Sequence, residues 1–371
     1  MRVDKKLLTM AILIALGATD VLAGAEAEYV KTSKGELAKP ILAVNHVCAW
    51  PNNLALLDDG TIVACIFNKP SHVWIEGDNE CWASTDQGKT WHKRGTVAHA
   101  EPNTVRGWAA AGVADNGDLF AICAGYSNNY PPGKTGPPFR AWGVRPLLCR
   151  SKDGGRNWTV DNEAFRDKAP DGGSLWPFGQ IVRGNNGVLY ASLYSARKGI
   201  EGSERMYIYP SRDNGKTWGD PICMDKDNPL NETSLLHLGG RKWLAAARFR
   251  GLHLYESNDD AQTWHFCKHL TEDDQHPGHL LKLRDGRIVL TYGNRIAGKY
   301  GVEVRRSDDQ GKTWTAPVRV VDLQHRDCGH PSSVELPDGS VLTAYYGPKI
   351  AYHVTYHMGV VIWDPKKSLD Q

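Results

Sequence analysis

No two cysteines in the 371-residue chain are spaced as CxxC, which argues against a zinc ribbon or a thiol redox motif. There is no basic run. Lys and Arg are scattered, and the formal net charge is only +2, so composition points to no nucleic-acid surface and no nucleic-acid partner is expected. Beyond residue 23 no apolar stretch is long enough to span a bilayer. What is left is a length and composition that fit one large all-β domain.

The first 23 residues read differently. Arg2, Lys5 and Lys6 precede a short apolar core from Leu7 to Ala18, and Val21-Leu22-Ala23 offers a small-residue cleavage site. This is the pattern of a secretory signal peptide, which places the domain at 24–371 and the mature chain outside the cytoplasm. Export permits disulfides among the eight cysteines, but spacing decides no pairing. Cys65 and Cys123 fall inside expected strands, where cysteine acts as a small buried hydrophobe.

One octapeptide recurs five times: Ser84 to Trp91, Ser151 to Trp158, Ser211 to Trp218, Ser257 to Trp264 and Ser307 to Trp314. The copies fit Ser-x-Asp-x-Gly-x-Thr-Trp, except that Asn157 replaces the Thr and Ala261 replaces the Gly. A recurring motif of this kind signals a repeat architecture. Each copy suits a hairpin tip. Its Asp accepts turn N–H groups, its Gly permits positive φ, and its Trp is an apolar plug. These residues are expected to hold turns and do no chemistry.

A second pattern runs in phase with the first. Apolar runs flank Gly-containing turns at Asp59-Gly60, Asn116-Gly117, Asn186-Gly187, Gly239-Gly240, Asp285-Gly286 and Asp338-Gly339. Asn-Gly and Asp-Gly between such runs are strong hairpin signals. Six such hairpins, five of them followed by an octapeptide, predict an all-β, six-bladed β-propeller of four-stranded antiparallel blades. The last unit lacks an octapeptide and a fourth strand. Tyr29-Val30 and Ile41-Leu42 are short strand-like runs ahead of the first hairpin, and an N-terminal strand would complete the last unit and close the ring, leaving no open sheet edge.

The octapeptides resemble the Asp-boxes, or BNR repeats, of the sialidase superfamily, and the resemblance covers nearly all of the chain after the leader. It implies an exo-glycoside hydrolase that takes a terminal acidic sugar of a glycan and needs no cofactor. Sialidases grip the substrate carboxylate with three arginines. They use a Tyr nucleophile assisted by a Glu, and an Asp as general acid/base. Glu232 in Asn231-Glu232-Thr233-Ser234 matches the family's Glu, Arg248 its second arginine and Arg295 its third. Arg suits a carboxylate because its planar fork makes two parallel hydrogen bonds. As a plain ion pair at a strand end, Glu232 and Arg248 would be structural instead.

Two positions depart from the family. Trp50-Pro51-Asn52 stands where the first arginine belongs, and His330 stands in place of the Tyr nucleophile. Tyr345 and Tyr346 lie near enough in sequence to substitute. The acid should come from the loop of the first unit, where Glu76, Asp78 and Glu80 lie. A wall formed by Trp74 would raise the carboxyl pKa that a general acid needs. Any of the three is equally a solvated loop charge.

In a propeller the Gly turns and octapeptides share one side, so a ligand site should form on the other. That side collects His46, Trp50, Asn52, Arg106, Trp108, Trp176, Glu232, His276, His279 and His330 from the starts of first strands. The ends of second strands add Lys69, His72, Tyr126, Tyr194, Arg197, Arg248, Arg295, Tyr345 and Tyr346. Arg106, Trp50 and His279 are the further substrate-binding candidates beside Arg248 and Arg295. Glu232, His330, Tyr346, Asp78 and Glu76 are the catalytic candidates.

The histidines open a second chemistry. His276, His279 and His330 could bind a metal, or a His with a Tyr could abstract a proton beside a uronic acid carboxylate, as in a lyase. A third possibility is a carbohydrate-binding propeller without catalysis. Taken singly, each histidine is more ordinarily a hydrogen-bonding partner for a loop or a sugar hydroxyl.

Overall fold

Apolar runs on either side of Gly turns produce strands and almost nothing else. The computed structural model describes residues 29–45, 47, 50, 53–348 and 355–369. The expected leader, His46, Pro51 and Asn52 lie outside the described residues. Among the described residues no helix is long and apolar enough to cross a membrane.

Six sheets form in chain order. The first holds Ala55–Leu56, Ile62–Phe67, Asn79–Ser84 and His92–Ala98. The second holds Thr104–Val113, Leu119–Ser127, Trp142–Ser151 and Thr159–Asp161. The third holds Ser174–Pro177, Leu189–Ala196, Arg205–Ser211 and Ile222–Cys223. The fourth holds Asn231–Gly239, Lys242–Arg248, Leu252–Ser257 and His265–His269. The fifth holds Gln275–Lys282, Ile288–Asn294, Gly301–Ser307 and Val318–Asp322. The sixth holds Gly329–Glu335, Val341–Gly347 and His357–Trp363, and Ile41–Val44 from the N-terminal side completes it.

Two sheets depart from the expected four strands. Gly179, at φ +76, breaks the inner strand of the third unit. The freed segment Gly179–Gln180 pairs in parallel with Ala110 and Ala111 of the second sheet, while Val182–Arg183 stays on its own sheet. The second and third sheets therefore each have five strands.

Six apolar cores lie between successive sheets. Val63 and Cys81 of the first sheet meet Ala121 and Cys123 of the second. Phe120 and Ile122 of the second meet Leu189 and Tyr207 of the third. Tyr190 and Ile208 of the third then meet Trp243 and Ala245 of the fourth. Leu244 and Leu254 meet Leu280 and Leu290 of the fifth. Val289 and Val304 meet Val341 and Trp363 of the sixth. Val334 and Leu342 return to Ile62 and Ile66 of the first. The central strands, such as Ile62–Phe67 and Ile288–Asn294, thus bury both faces, whereas last strands such as Thr159–Asp161 and His265–His269 stay largely exposed. Each buried Val or Leu contributes about 1.5–3 kcal/mol. The seven cysteines among the described residues are free, and Cys65, Cys81, Cys123 and Cys149 share one of these cores.

The octapeptides are turns, as their composition requires. In the last copy the Ser307 hydroxyl donates to Asp309 at 2.8 Å and accepts the Gly311 N–H at 2.8 Å. Asp309 in turn accepts the Thr313 N–H at 2.8 Å and the Thr313 hydroxyl at 2.6 Å. The Trp314 indole N–H closes on the Gly311 carbonyl at 3.1 Å. The two lapses keep this geometry. Asn157 donates its amide N–H to Asp153 at 2.7 Å, where a Thr hydroxyl would serve, and Ala261 adopts the left-handed φ of +62 in place of Gly.

Candidate active site

On the side opposite the octapeptides, strand starts and strand ends bring charged and aromatic side chains together. Glu232 opens the inner strand of the fourth sheet and Arg248 closes the strand beside it, and the two form an ion pair in which Glu232 is buried and Arg248 half-buried. His330 opens the inner strand of the sixth sheet, with its Nε2 4.0 Å from Glu232 Oε1. Its backbone holds a φ of +44, after Gly329 at +98. Non-glycine residues rarely adopt this conformation, and strain of this kind concentrates at functional sites. The ring packs against Trp50 at 5.9 Å, Phe178 at 5.8 Å and Tyr346 at 5.3 Å between centroids.

Strand alternation separates the two tyrosines. Tyr345 faces the core between the fifth and sixth sheets, whereas Tyr346 joins Trp50 and Trp108 in the cluster at the strand starts. Tyr346 donates its hydroxyl to Asp327. Tyr356 donates to the other oxygen of the same carboxylate, and His72 Nδ1 lies 2.9 Å from Asp327 Oδ1. Sequence reasoning named neither Asp327 nor Tyr356. Asp327 lies on the connection just before Gly329-His330, and Tyr356 lies on the loop into the last unit's third strand. Asp327 could have been found only by extending the search from strand starts to the residues leading into them.

Burial raises the carboxyl pKa of Glu232, but Arg248, His330 and Arg295 outweigh it and hold the group at about 2. Burial lowers His330 to about 3; Glu232 opposes this, and Arg295 and Arg248 add to it. Burial, then Arg248 and Arg295, lowers His276 to about 2. Near neutral pH the cluster therefore holds an ionised carboxylate, two guanidinium groups and neutral imidazoles. Burial also works against Asp327, yet His72, Tyr346 and Tyr356 keep its carboxyl well below the usual range.

The other expected site residues are placed as follows. Arg106 is 2% exposed, and its guanidinium is taken up by Glu101 at 2.5 Å and the Arg145 carbonyl at 2.7 Å, so it holds local structure. His279 is buried and accepts the Ser333 N–H at 3.3 Å. Burial alone lowers its pKa, to about 4, whereas the cluster's charges act on His276. Glu76 accepts the Asn103 N–H at 2.6 Å, and Asp78 accepts the Ala100 N–H at 2.8 Å, so both brace the 99–103 loop. Trp74 lies under the Arg140 guanidinium at 4.3 Å and is 44% exposed. Val73 of the same loop does reach the aromatic cluster. Among the described residues no group of His, Cys, Asp and Glu is arranged to hold a metal ion.

The BNR/Asp-box repeat family model matches residues 82–93 and 305–316. No curated protein matches the sequence. Among solved structures, a protein of unknown function from Dyadobacter fermentans superposes with a TM-score of 0.74 at 19% identity, over 88% of this chain and 98% of that one. The NanB sialidase of Streptococcus pneumoniae superposes with a TM-score of 0.66 at 11% identity, over 88% of this chain and 70% of the enzyme. A Trypanosoma rangeli sialidase mutant with trans-sialidase activity gives 0.62 at 15% identity, over 93% of this chain and 58% of that longer protein. The chain carries BNR/Asp-box repeats at residues 82–93 and 305–316, and its fold is the one these sialidase structures share.

Proposed function

We propose that the six sheets are the blades of a closed propeller and that the chain is a secreted, sialidase-like exo-glycosidase of a carboxylate-bearing terminal sugar. One observation carries the reading. Arg248 Nε and Arg295 Nη2 are buried with no protein acceptor among the described residues, and both guanidinium groups act on Glu232. A buried donor left unpaired costs about 1–3 kcal/mol, which a substrate carboxylate would recover. Glu232 and Asp327 both act on Arg295, so what draws the ligand carboxylate is the pair of unmet guanidinium N–H donors and not a surplus of charge.

The roles follow from the protonation states. Glu232, ionised, cannot serve as the general acid; it orients Arg248 and stabilises positive charge developing at the anomeric carbon. With His330 in the family tyrosine's place, the nucleophile is Tyr346. Its oxygen bonds to the anomeric carbon as the glycosidic C–O bond breaks, and its proton passes to Asp327. The leaving oxygen takes a proton from the His72 imidazolium, the one of the loop's candidates that stands against Asp327 and Trp50. Water's oxygen then bonds to the anomeric carbon as the bond to Tyr346 breaks, one proton of the water returns to His72, and Asp327 gives its proton back to Tyr346. The leader pattern of residues 1–23 supports export.

The 5.3 Å contact between His330 and Tyr346 supports a second reading, β-elimination from a uronate, with the arginines neutralising the carboxylate. A panel of fluorogenic acidic-sugar glycosides separates the two. Hydrolysis predicts fluorophore release with no unsaturated, near-ultraviolet-absorbing product. Tyr346→Phe should then lower kcat by about a hundredfold or more with little change in KM. Unchanged turnover in Tyr346→Phe, or an unsaturated product, would contradict the hydrolase assignment.

A further inference from the structure

Between the second and third sheets lies a cavity of about 620 Å³ that the proposed reaction does not use. Its lining includes Arg140, Lys168, Arg197 and Lys198 and no carboxylate. Asp171, on its flank, is held by the Gly173 N–H at 2.9 Å and the Ser195 hydroxyl at 2.6 Å. Four cations around one cavity repel one another unless an anion lies between them. Two are anchored so that they stay there. Lys168 donates to the Ser174 hydroxyl at 3.0 Å, and Lys198 donates to the Ala141 carbonyl at 2.7 Å. Arg197 is exposed.

The apolar part of the wall is aromatic. Trp142 is 42% exposed there, offering a face on which a sugar ring can stack. Trp176 and Tyr126 line the same cavity and also belong to the aromatic cluster of the active site. Ring contacts run without a gap from Trp50 to Trp108 at 4.8 Å, to Tyr126 at 5.1 Å and to Trp176 at 5.2 Å. Trp50 in turn packs on His330. Trp50, Trp108 and Trp176 are buried, so they tie the cavity wall to the active-site cluster from beneath, and an oligosaccharide with one ring at Glu232 and Arg248 would set another against the exposed Trp142 in the cationic cavity.

We infer that this cavity is a second sugar subsite, which takes a ring bearing a sulfate or carboxylate adjacent to the reacting sugar. The inference builds on the active-site reading above but can be tested apart from it. The probes are a chondroitin 4-sulfate tetrasaccharide, a tetragalacturonate and the neutral cellotetraose, titrated calorimetrically into the full chain, Arg197→Gln/Lys198→Gln and Arg248→Ala. At least one charged probe should bind more tightly than cellotetraose and weaken about tenfold or more in the double variant, with both effects shrinking as salt rises. Comparing the two charged probes shows whether sulfate or carboxylate is the recognised group. Equal binding of cellotetraose, no binding of either charged probe, or full affinity in the double variant would overturn the subsite. Loss in Arg248→Ala alone would uphold the active-site reading and refute the subsite. Loss in the double variant alone would do the reverse.

Discussion

At the scale of single residues, neutral histidines set the response to acid. His276, His279 and His330 are buried with pKa values of about 2, 4 and 3, below the ordinary 6.5. As the pH falls below 6.5, the unfolded chain takes up protons that the folded chain refuses. The stability that comes from burying them neutral is complete above that pH and is lost on acidification toward the folded values. At pH 5 each histidine costs about 2 kcal/mol. Urea denaturation from pH 8 to 5 should therefore show stability falling steeply below about 6.5, and a flat profile would contradict these protonation states. Strand starts and ends on one side of a meander converge, which made a wide set of candidates legible in the sequence, and the resemblance to the family's motifs singled out Glu232, Arg248, Arg295 and His330 from it. Which of Tyr345 and Tyr346 faces the site was not, because alternation is settled only once the register of the sixth sheet is known.

At the scale of the element, the octapeptide is a wedge as well as a turn. Gly311 has a φ of +89, and a Cβ there would meet Leu244 Cδ1 of the preceding sheet at 2.8 Å. Gly88 stands in the same relation to Leu342 of the sixth sheet, at 2.0 Å. The glycine thus permits the turn and lets one sheet approach the next. Gly311→Ala is expected to lower stability by about 1–3 kcal/mol by chemical denaturation. An unchanged midpoint would mean that the contact is loose. The turn chemistry was readable from spacing alone. The broken inner strand of the third unit was not, because Gly179 pairs its segment with a neighbouring sheet, and no local pattern reports a contact between units.

At the scale of the whole molecule, stability depends on closure. Ile41–Val44 pairs antiparallel with His357–Trp363, so residues from opposite ends of the chain share the sixth sheet. Lys31 reinforces the join, its N–H donating to the Ser368 hydroxyl at 2.6 Å and its carbonyl accepting the Asp364 N–H at 2.7 Å. A chain lacking residues 24–45 would expose the full edge of His357–Trp363, and exposed edges recruit other strands. Its melting temperature should fall and light scattering should rise on heating. Melting identical to the full chain would mean that the join does not stabilise the molecule. The shortage of a strand after Tyr346 and the surplus before Leu54 made this closure legible. The cationic cavity was not, because Arg140, Lys168 and the Arg197-Lys198 pair come from three separate connections and meet only in the folded chain.

The central claim is that Arg248 and Arg295 together hold a substrate carboxylate beside Glu232. The direct measurement is the calorimetric affinity of the full chain and of Arg248→Ala for an acidic sugar and for its methyl ester. The carboxylate should bind the full chain about tenfold or more tightly than the ester, and Arg248→Ala should erase most of that difference. Equal affinity for acid and ester, or a difference that survives in Arg248→Ala, would contradict the assignment.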